Sequence, residues 1–248
     1  MRFKDKVVVV IGGNSGIGLA SAIEFANEGA KVVISGRNQT TIDAAAKEIG
    51  ADVLAVKSDV SDLTQLDSLM AQVKEKHGHI DVLFVNAGIG SFKPIAEIDE
   101  AYWENMIGIN LKGPFFAAQK ALPLMLSGGA IIFTSSIGHV KGIPGNSVYA
   151  ASKAGLRALT RNIGAEVVER GIRVNCMSPG PIETPLFNRS GIPEEALVGL
   201  KQSITDSVPM KRFGTAQEVA KTVLFLASED SSYVTGVDLF VDGGTVSF

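Results

Sequence analysis

Residues 6–18 read KVVVVIGGNSGIG. Val7 to Ile11 form an unbroken β-branched run with no polar alternation. A strand that is apolar on both sides has to be covered on both sides, as a central strand of a parallel sheet is. The run ends in Gly12 and Gly13, and Gly16 and Gly18 follow as helical periodicity begins. A strand that passes through a glycine turn straight into a helix is the first half of a β–α–β unit. This one stretch therefore argues against all-helical and all-antiparallel arrangements.

The rest of the chain repeats the alternation. Candidate strands are Lys6–Ile11, Lys31–Ser35, Asp52–Val56, Val82–Val85, Ala130–Thr134, Ile172–Cys176 and Asp238–Val241. Helical periodicity runs over Gly18–Glu28 and over Leu63–Lys76, the latter behind Ser61 and Asp62 as caps. Thr215 and Glu218 stand at capping-box spacing ahead of another apolar helix. We expect an α/β chain folded as a single domain over residues 1–248, with a parallel sheet covered by helices on both faces. At 248 residues, 46% of them hydrophobic, it is long enough to bury such a core. Residues Thr184–Gly214 break the alternation with mixed polar and apolar content, which suits a lid more than a linker; a variable surface loop is the competing reading.

Charge and cysteine content exclude several functions. A net charge of −3 without a basic stripe argues against a nucleic-acid partner. The single cysteine, Cys176, cannot form an intrachain disulfide and sits in an apolar run, as a buried structural thiol would. His77, His79 and His139 lack ligand spacing, so no metal is expected. No apolar stretch reaches spanning length, and the expectation is a soluble cytoplasmic protein without a membrane partner.

The glycine turn has a functional reading beside its structural one. Glycines at a strand-to-helix junction let the backbone approach a pyrophosphate, and the helix aims its free amides at it. About 20 residues on, NAD-binding chains carry an acid for the ribose hydroxyl. Here no acid occurs between Ser35 and Asp43, and Arg37 stands nineteen residues past Gly18. An arginine there pairs with a 2′-phosphate, which points to NADP. Further along, SVYAASKAG places Tyr149 and Lys153 one helical turn apart among small residues. That spacing alone fits a solvated helix face as well as an acid–base pair.

Several motifs in order decide between these. IGGNSGIG is followed by VNAG at Val85–Gly88, IGINLKG around Asn110, TSSIG around Ser136, YAASK thirteen residues after Ser136, and VNCMSPGPIETP. Together they resemble the classical short-chain dehydrogenases/reductases, in their NADP-preferring form, over nearly the whole chain. Two positions depart from the family pattern: Ile11 replaces a threonine of the glycine turn, and Val85 replaces the first asparagine of its NNAG segment. The resemblance implies a Rossmann-type, doubly wound parallel sheet of about seven strands in three α/β/α layers. It also implies a homotetramer.

Roles follow from the same resemblance. Gly12, Asn14, Ser15, Gly16, Ile17 and Gly18 would hold the pyrophosphate. Arg37, with Ser35, Gly36 and Asn38, would hold the adenosine phosphate, and Asp59 and Val60 would meet the adenine. Asn86, Ala87 and Gly88 would line the centre, and Pro179, Gly180, Ile182 and Thr184 the nicotinamide end. Asn110, Ser136, Tyr149 and Lys153 would form a catalytic tetrad, with Lys153 also on the nicotinamide ribose. A phenol with a pKa of about 10 is a slow base near neutrality, and a neighbouring cation would lower it.

The implied activity is reduction of a ketone or aldehyde, or the reverse oxidation of a secondary alcohol, with a small molecule as partner. Gly90, Ser91, Phe92, Ser136, His139, Val140, Asn146, Tyr149, Leu186 and Phe187 are the substrate-pocket candidates. Their largely apolar character favours a small neutral substrate. Reduction of a 3-oxoacyl group on acyl-carrier protein is the next reading, although LMLSGGAIIF before the fifth strand lacks basic residues; Arg170 supplies one cation elsewhere. A sugar dehydrogenase is a third. From a different class, an NADP-binding sensor without catalysis would not need a complete tetrad.

Overall fold

The computed structural model describes residues 1–50, 52–184 and 194–248. Leu186 and Phe187, expected in the pocket, lie outside the described residues. In chain order the elements are β1 (Val7–Ile11), α1 (Gly16–Asn27), β2 (Lys31–Gly36), α2 (Gln39–Ile49), β3 (Leu54–Lys57) and α3 (Leu63–His77). Then come β4 (Ile80–Val85), α4 (Glu100–Ile107), α5 (Gly113–Ala121), β5 (Met125–Thr134), α6 (Ser147–Val167) and β6 (Arg173–Pro179). The chain continues with β7 (Ile182–Glu183), α7 (Glu194–Ser207), β8 (Gly214–Thr215), α8 (Ala216–Ala227) and β9 (Asp238–Val241).

All seven expected strands pair in parallel in the order β3-β2-β1-β4-β5-β6-β9. The unalternating β1 run now has its reason. Val7, Val9 and Ile11 face a core shared with α3, α5 and α6, through Leu66, Leu69, Ala117, Ala118, Leu156 and Ile163. Val8 and Val10 face the opposite core, built with Ala22 and Phe25 of α1, Ile42 and Ala45 of α2, and Val219 and Val223 of α8. Both sides of the strand are apolar because both sides are covered. Each such side chain contributes roughly 1.5–3 kcal/mol through burial, so Phe25, wholly enclosed and edge-on to Phe3, is a position where truncation to alanine would open a costly cavity.

The helix ends follow local chemistry. The Asp62 carboxylate accepts from the Thr64 and Gln65 amides, and α3 stops at Gly78 with φ +80°. The Thr215–Glu218 capping box closes at α8 as expected. Some boundaries move. β3 begins at Leu54 rather than Asp52, β5 starts at Met125, and β6 extends to Pro179. The segment expected as an irregular lid carries helix α7 and is fastened by the short β7–β8 pair.

Candidate active site

β1 and β4 are neighbours, yet the chain leaves β1 for one side of the sheet and continues from β4 towards the other. The crevice beyond their carboxyl ends is the topological switch point where such sheets take ligands. Gly12, with φ +81°, turns the chain there; a methyl group on it would stand 2.7 Å from the Ala87 nitrogen. A methyl on Gly18 would collide with the Gly12 carbonyl oxygen. The glycines therefore let β1, α1 and the segment after β4 touch at the backbone. The Asn86 amide locks this junction, donating to the Gly12 carbonyl at 3.1 Å and accepting from Thr134 Oγ1 at 3.1 Å.

A groove of about 380 Å³ opens on this junction. Its walls include Gly12, Asn14, Ser15, Gly36, Arg37, Asn38, Asp59, Val60, Asn86, Ala87 and Gly88, all expected from the sequence. Gly16, Ile17 and Gly18 belong to the start of α1 behind it. Ser35 is fully buried; its carbonyl accepts from the Gly12 and Gly13 amides, so it shapes the turn instead of facing the groove. Thr41, Ser58 and Ile109 also line the groove and were not expected, and Ile89, which follows the VNAG segment, joins them. Thr41 accepts from the Asn14 side chain at 2.7 Å. The polar groups suit a phosphorylated ligand: Ser15 precedes α1 without forming a side-chain cap, and the Ser58 hydroxyl is buried at the wall without a partner. Arg37 is 61% exposed and lies 3.9 Å from Asp59 Oδ2, while the other Asp59 oxygen accepts from the Ser61 amide and hydroxyl.

Ser136, Tyr149, Lys153 and Asn110 come together beside Gly88. A methyl on Gly88 would lie 3.3 Å from both Asn110 Oδ1 and Lys153 Nζ. Asn110 is buried in a π-turn, Gly108–Lys112, between α4 and α5. Its side chain brackets Ile89, accepting from the Ile89 amide and donating to its carbonyl, both at 2.9 Å. Lys153 is buried and donates to the Thr134 carbonyl at 2.8 Å; burial lowers its pKa from 10.5 to about 8. Its ammonium lies 5.7 Å from the Tyr149 ring centre. Ser136 caps its own turn, its Oγ accepting from the Gly138 amide at 3.0 Å. Burial raises the Tyr149 pKa, opposed by a hydrogen bond with Ser136. In the protein alone the enclosure of the phenol sets the direction of this shift.

The remaining pocket candidates divide. Asn146 is buried beside the tetrad: a methyl on Gly138 would meet its Nδ2 at 2.9 Å, Tyr149 Cε1 at 3.2 Å and Ser136 Oγ at 3.3 Å. Gly90, Ser91 and Phe92 follow β4 in an exposed segment, with Phe92 and Val140 presenting open apolar surface. His139 does not sit with them. Its Nε2 lies 2.7 Å from Asp238 Oδ2 and its ring stacks on Phe240 of β9. A carboxylate 99 residues away captures it, a partner that local sequence could not reveal. Pro179 and Gly180 end β6 against Asp242, buried Ile182 pairs with β8, and Thr184 borders a separate cavity of about 290 Å³ with Val198, Lys201 and Phe213.

Among the described residues no cluster of three or more His, Cys, Asp or Glu side chains is placed to hold a metal, and no helix is long and apolar enough to cross a membrane. The profile of a family described as enoyl-(acyl carrier protein) reductase matches residues 11–246. The chain is 40% identical over 253 residues to 3-oxoacyl-(acyl-carrier-protein) reductase FabG of Thermotoga maritima, covering 99% of this chain and 100% of that one. It is 39% identical to levodione reductase of Leifsonia aquatica over 254 residues, 98% of this chain and 95% of that one. A crystal structure of levodione reductase superposes with a TM-score of 0.92 at 36% identity, over 100% of both chains. The ligand-free aldohexose dehydrogenase of Thermoplasma acidophilum gives 0.88 at 31%, over 98% of this chain and 94% of that one. With the sheet order, the switch-point groove and these relatives in agreement, the chain belongs to the short-chain dehydrogenase/reductase family of nicotinamide-dependent oxidoreductases.

Proposed function

We propose that this protein is an NADP(H)-dependent oxidoreductase that interconverts a small neutral ketone or aldehyde and its alcohol, with Tyr149 as general acid and base. The observation that carries this reading is the meeting of Ser136, Tyr149 and Lys153 at one end of the groove, next to Gly88. When bound, the nicotinamide supplies or takes the hydride. Ser136 Oγ donates to the substrate oxygen and stabilises charge developing on it. Tyr149 hands its phenolic proton to that oxygen in reduction and takes it back in oxidation. Lys153, charged below about pH 8, stands behind the ring, favours the phenolate once the proton has left, and is placed to hold the nicotinamide ribose. Asn110 keeps the segment after β4 in place against α6 through Ile89 and Ser152. Arg37, open to solvent at the groove's edge, exchanges its 3.9 Å contact with Asp59 for a 2′-phosphate. In this reading residues 1–248 act as one domain, residues 184–214 fold over the substrate, and the enzyme works in the cytoplasm as a homotetramer.

The relatives named as acyl-carrier-protein reductases support a second substrate, a carrier-bound 3-oxoacyl group. Against it, the Arg170 guanidinium is engaged with the Leu122 and Met125 carbonyls at 2.8 and 3.3 Å. Following NADPH oxidation over a panel of ketones, aldoses and a 3-oxoacyl thioester separates these readings. Tyr149→Phe should lower kcat on the preferred carbonyl by roughly 10²–10⁴-fold. Wild type turning over no carbonyl, with Tyr149→Phe indistinguishable from it, would defeat the proposal.

A further inference from the structure

His139, Arg157 and Asp238 form a nearly enclosed polar cluster next to the tetrad, and none of them lines the groove. The side chains of His139 and Asp238 are 10% and 6% exposed. Asp238 Oδ2 receives His139 Nε2 at 2.7 Å and has Arg157 Nε at 4.0 Å, while Oδ1 accepts from the Ser178 hydroxyl at 2.7 Å. A carboxylate only accepts, so His139 Nε2 carries the proton it shares with Asp238.

Each donor belongs to a different part of the reacting apparatus. His139 closes the short turn Ile137–His139, which Ser136 caps with its own Oγ and whose last amide donates to the Ser136 carbonyl at 3.2 Å. Arg157 follows Tyr149 and Lys153 at four-residue intervals, so it lies on the same face of α6. One β9 carboxylate therefore meets both the Ser136 turn and the Tyr149–Lys153 helix. Buried ion pairs add little net stability compared with apolar packing; the His139–Asp238 hydrogen bond is directional, and Arg157, 4.0 Å off, is drawn to the same carboxylate by charge alone. What the cluster supplies is register between two elements that have to present an Oγ and an Oη to one substrate atom.

We propose that Asp238 is a positioning residue, holding Ser136 through His139 and the Tyr149–Lys153 face through Arg157 in a fixed mutual geometry. The kinetic consequence rests on the carbonyl-reduction reading; the structural consequence does not. Asp238→Asn keeps the shape and removes the charge. It should lower kcat by roughly 10–100-fold, the scale of a 1 Å misplacement, while KM and the NADPH Kd stay within about twofold. His139→Ala should behave alike and His139→Gln, which retains a donor, should recover part of the loss. Asp238→Asn/His139→Ala should be no worse than the poorer single variant, because the residues act as a unit. In the protein without cofactor, amide hydrogen exchange at Gly138 and His139 should quicken while β1 stays protected. Unchanged Gly138 exchange in Asp238→Asn, or quickening spread equally to β1, overturns the proposal, as does an unaltered kcat in an active enzyme. If wild type reduces no carbonyl, the exchange measurement decides alone, so a failed reaction reading is told apart from a failed positioning role. If Asp238→Asn does not fold, the two His139 variants carry the same comparisons.

Discussion

Lys153 offers a measurement that needs neither substrate nor cofactor. Its ammonium is enclosed and donates a hydrogen bond to the Thr134 carbonyl 2.8 Å away, and burial brings its pKa from 10.5 to about 8. Below that value both the folded and unfolded chains hold the proton, and the folded state bears the full cost of the buried charge. Between about 8 and 10.5 the folded protein has released the proton while the unfolded chain still binds it, so stability rises with pH. The slope is about 1.4 kcal/mol per unit, so moving from pH 7 to pH 9.5 adds about 2 kcal/mol. For a chain of this size that is roughly 4–8 °C in Tm. Other groups titrate over the same range, and the comparison with Lys153→Met cancels them. The difference in Tm between wild type and Lys153→Met should therefore move in favour of wild type by that amount, read by calorimetry at the two pH values. Lys153→Met should also be the more stable protein at pH 7, a trade of stability for function. A wild-type-minus-variant difference that stays flat from pH 7 to 9.5 would refute the reasoning.

Three further outcomes follow from the geometry. Gly18→Ala drives a methyl against the Gly12 carbonyl oxygen, so it should cost about 1–3 kcal/mol in urea unfolding and remove NADPH binding; a variant of unaltered affinity would show that the turn can relax. Arg37→Ala should weaken NADPH roughly 10–100-fold, as loss of a charge-assisted contact does, and leave NADH nearly untouched. Equal losses in fluorescence titrations would defeat the phosphate clamp. Cys176 is buried and its thiol is pushed up to about 12, first by burial and then by Asp238. Iodoacetamide at pH 8 should therefore modify it in urea and leave it unmodified in the native protein; labelling of both at one rate would contradict its enclosure.

The sheet was legible because strands covered on both sides leave long apolar runs, and Val7–Ile11 is the clearest of these. Boundaries were less so. Asp52 and Val53 lie beside β3 without joining it, and β5 gains Met125 to Gly129 past a register shift opposite Ile80 and Val82. The β7–β8 pair has only two residues per strand, too few for any period to show. The groove was readable from its glycines and Arg37, since spacing alone constrains a backbone turn. Thr41 and Ser58 were missed because their relevance comes from Asn14 and from enclosure. His139 was placed with the substrate because it follows Ser136 in sequence; its partner, Asp238, arrives from the far edge of the sheet. The π-turn around Asn110 has no pattern of its own, being visible only once its amide grips Ile89.

The position of β9 in chain order carries a consequence for how the site is made. Among the described residues β9 pairs only with β6, and it does so after every other strand of the sheet has been synthesised. The Ser136 turn and α6 emerge from the ribosome well before the carboxylate that joins them. That contact joins residues 99 apart and closes only when β9 docks on β6. On refolding, a competent geometry at Ser136 and Tyr149 should return only with the docking of one four-residue edge strand, the step that turns a folded scaffold into a finished site.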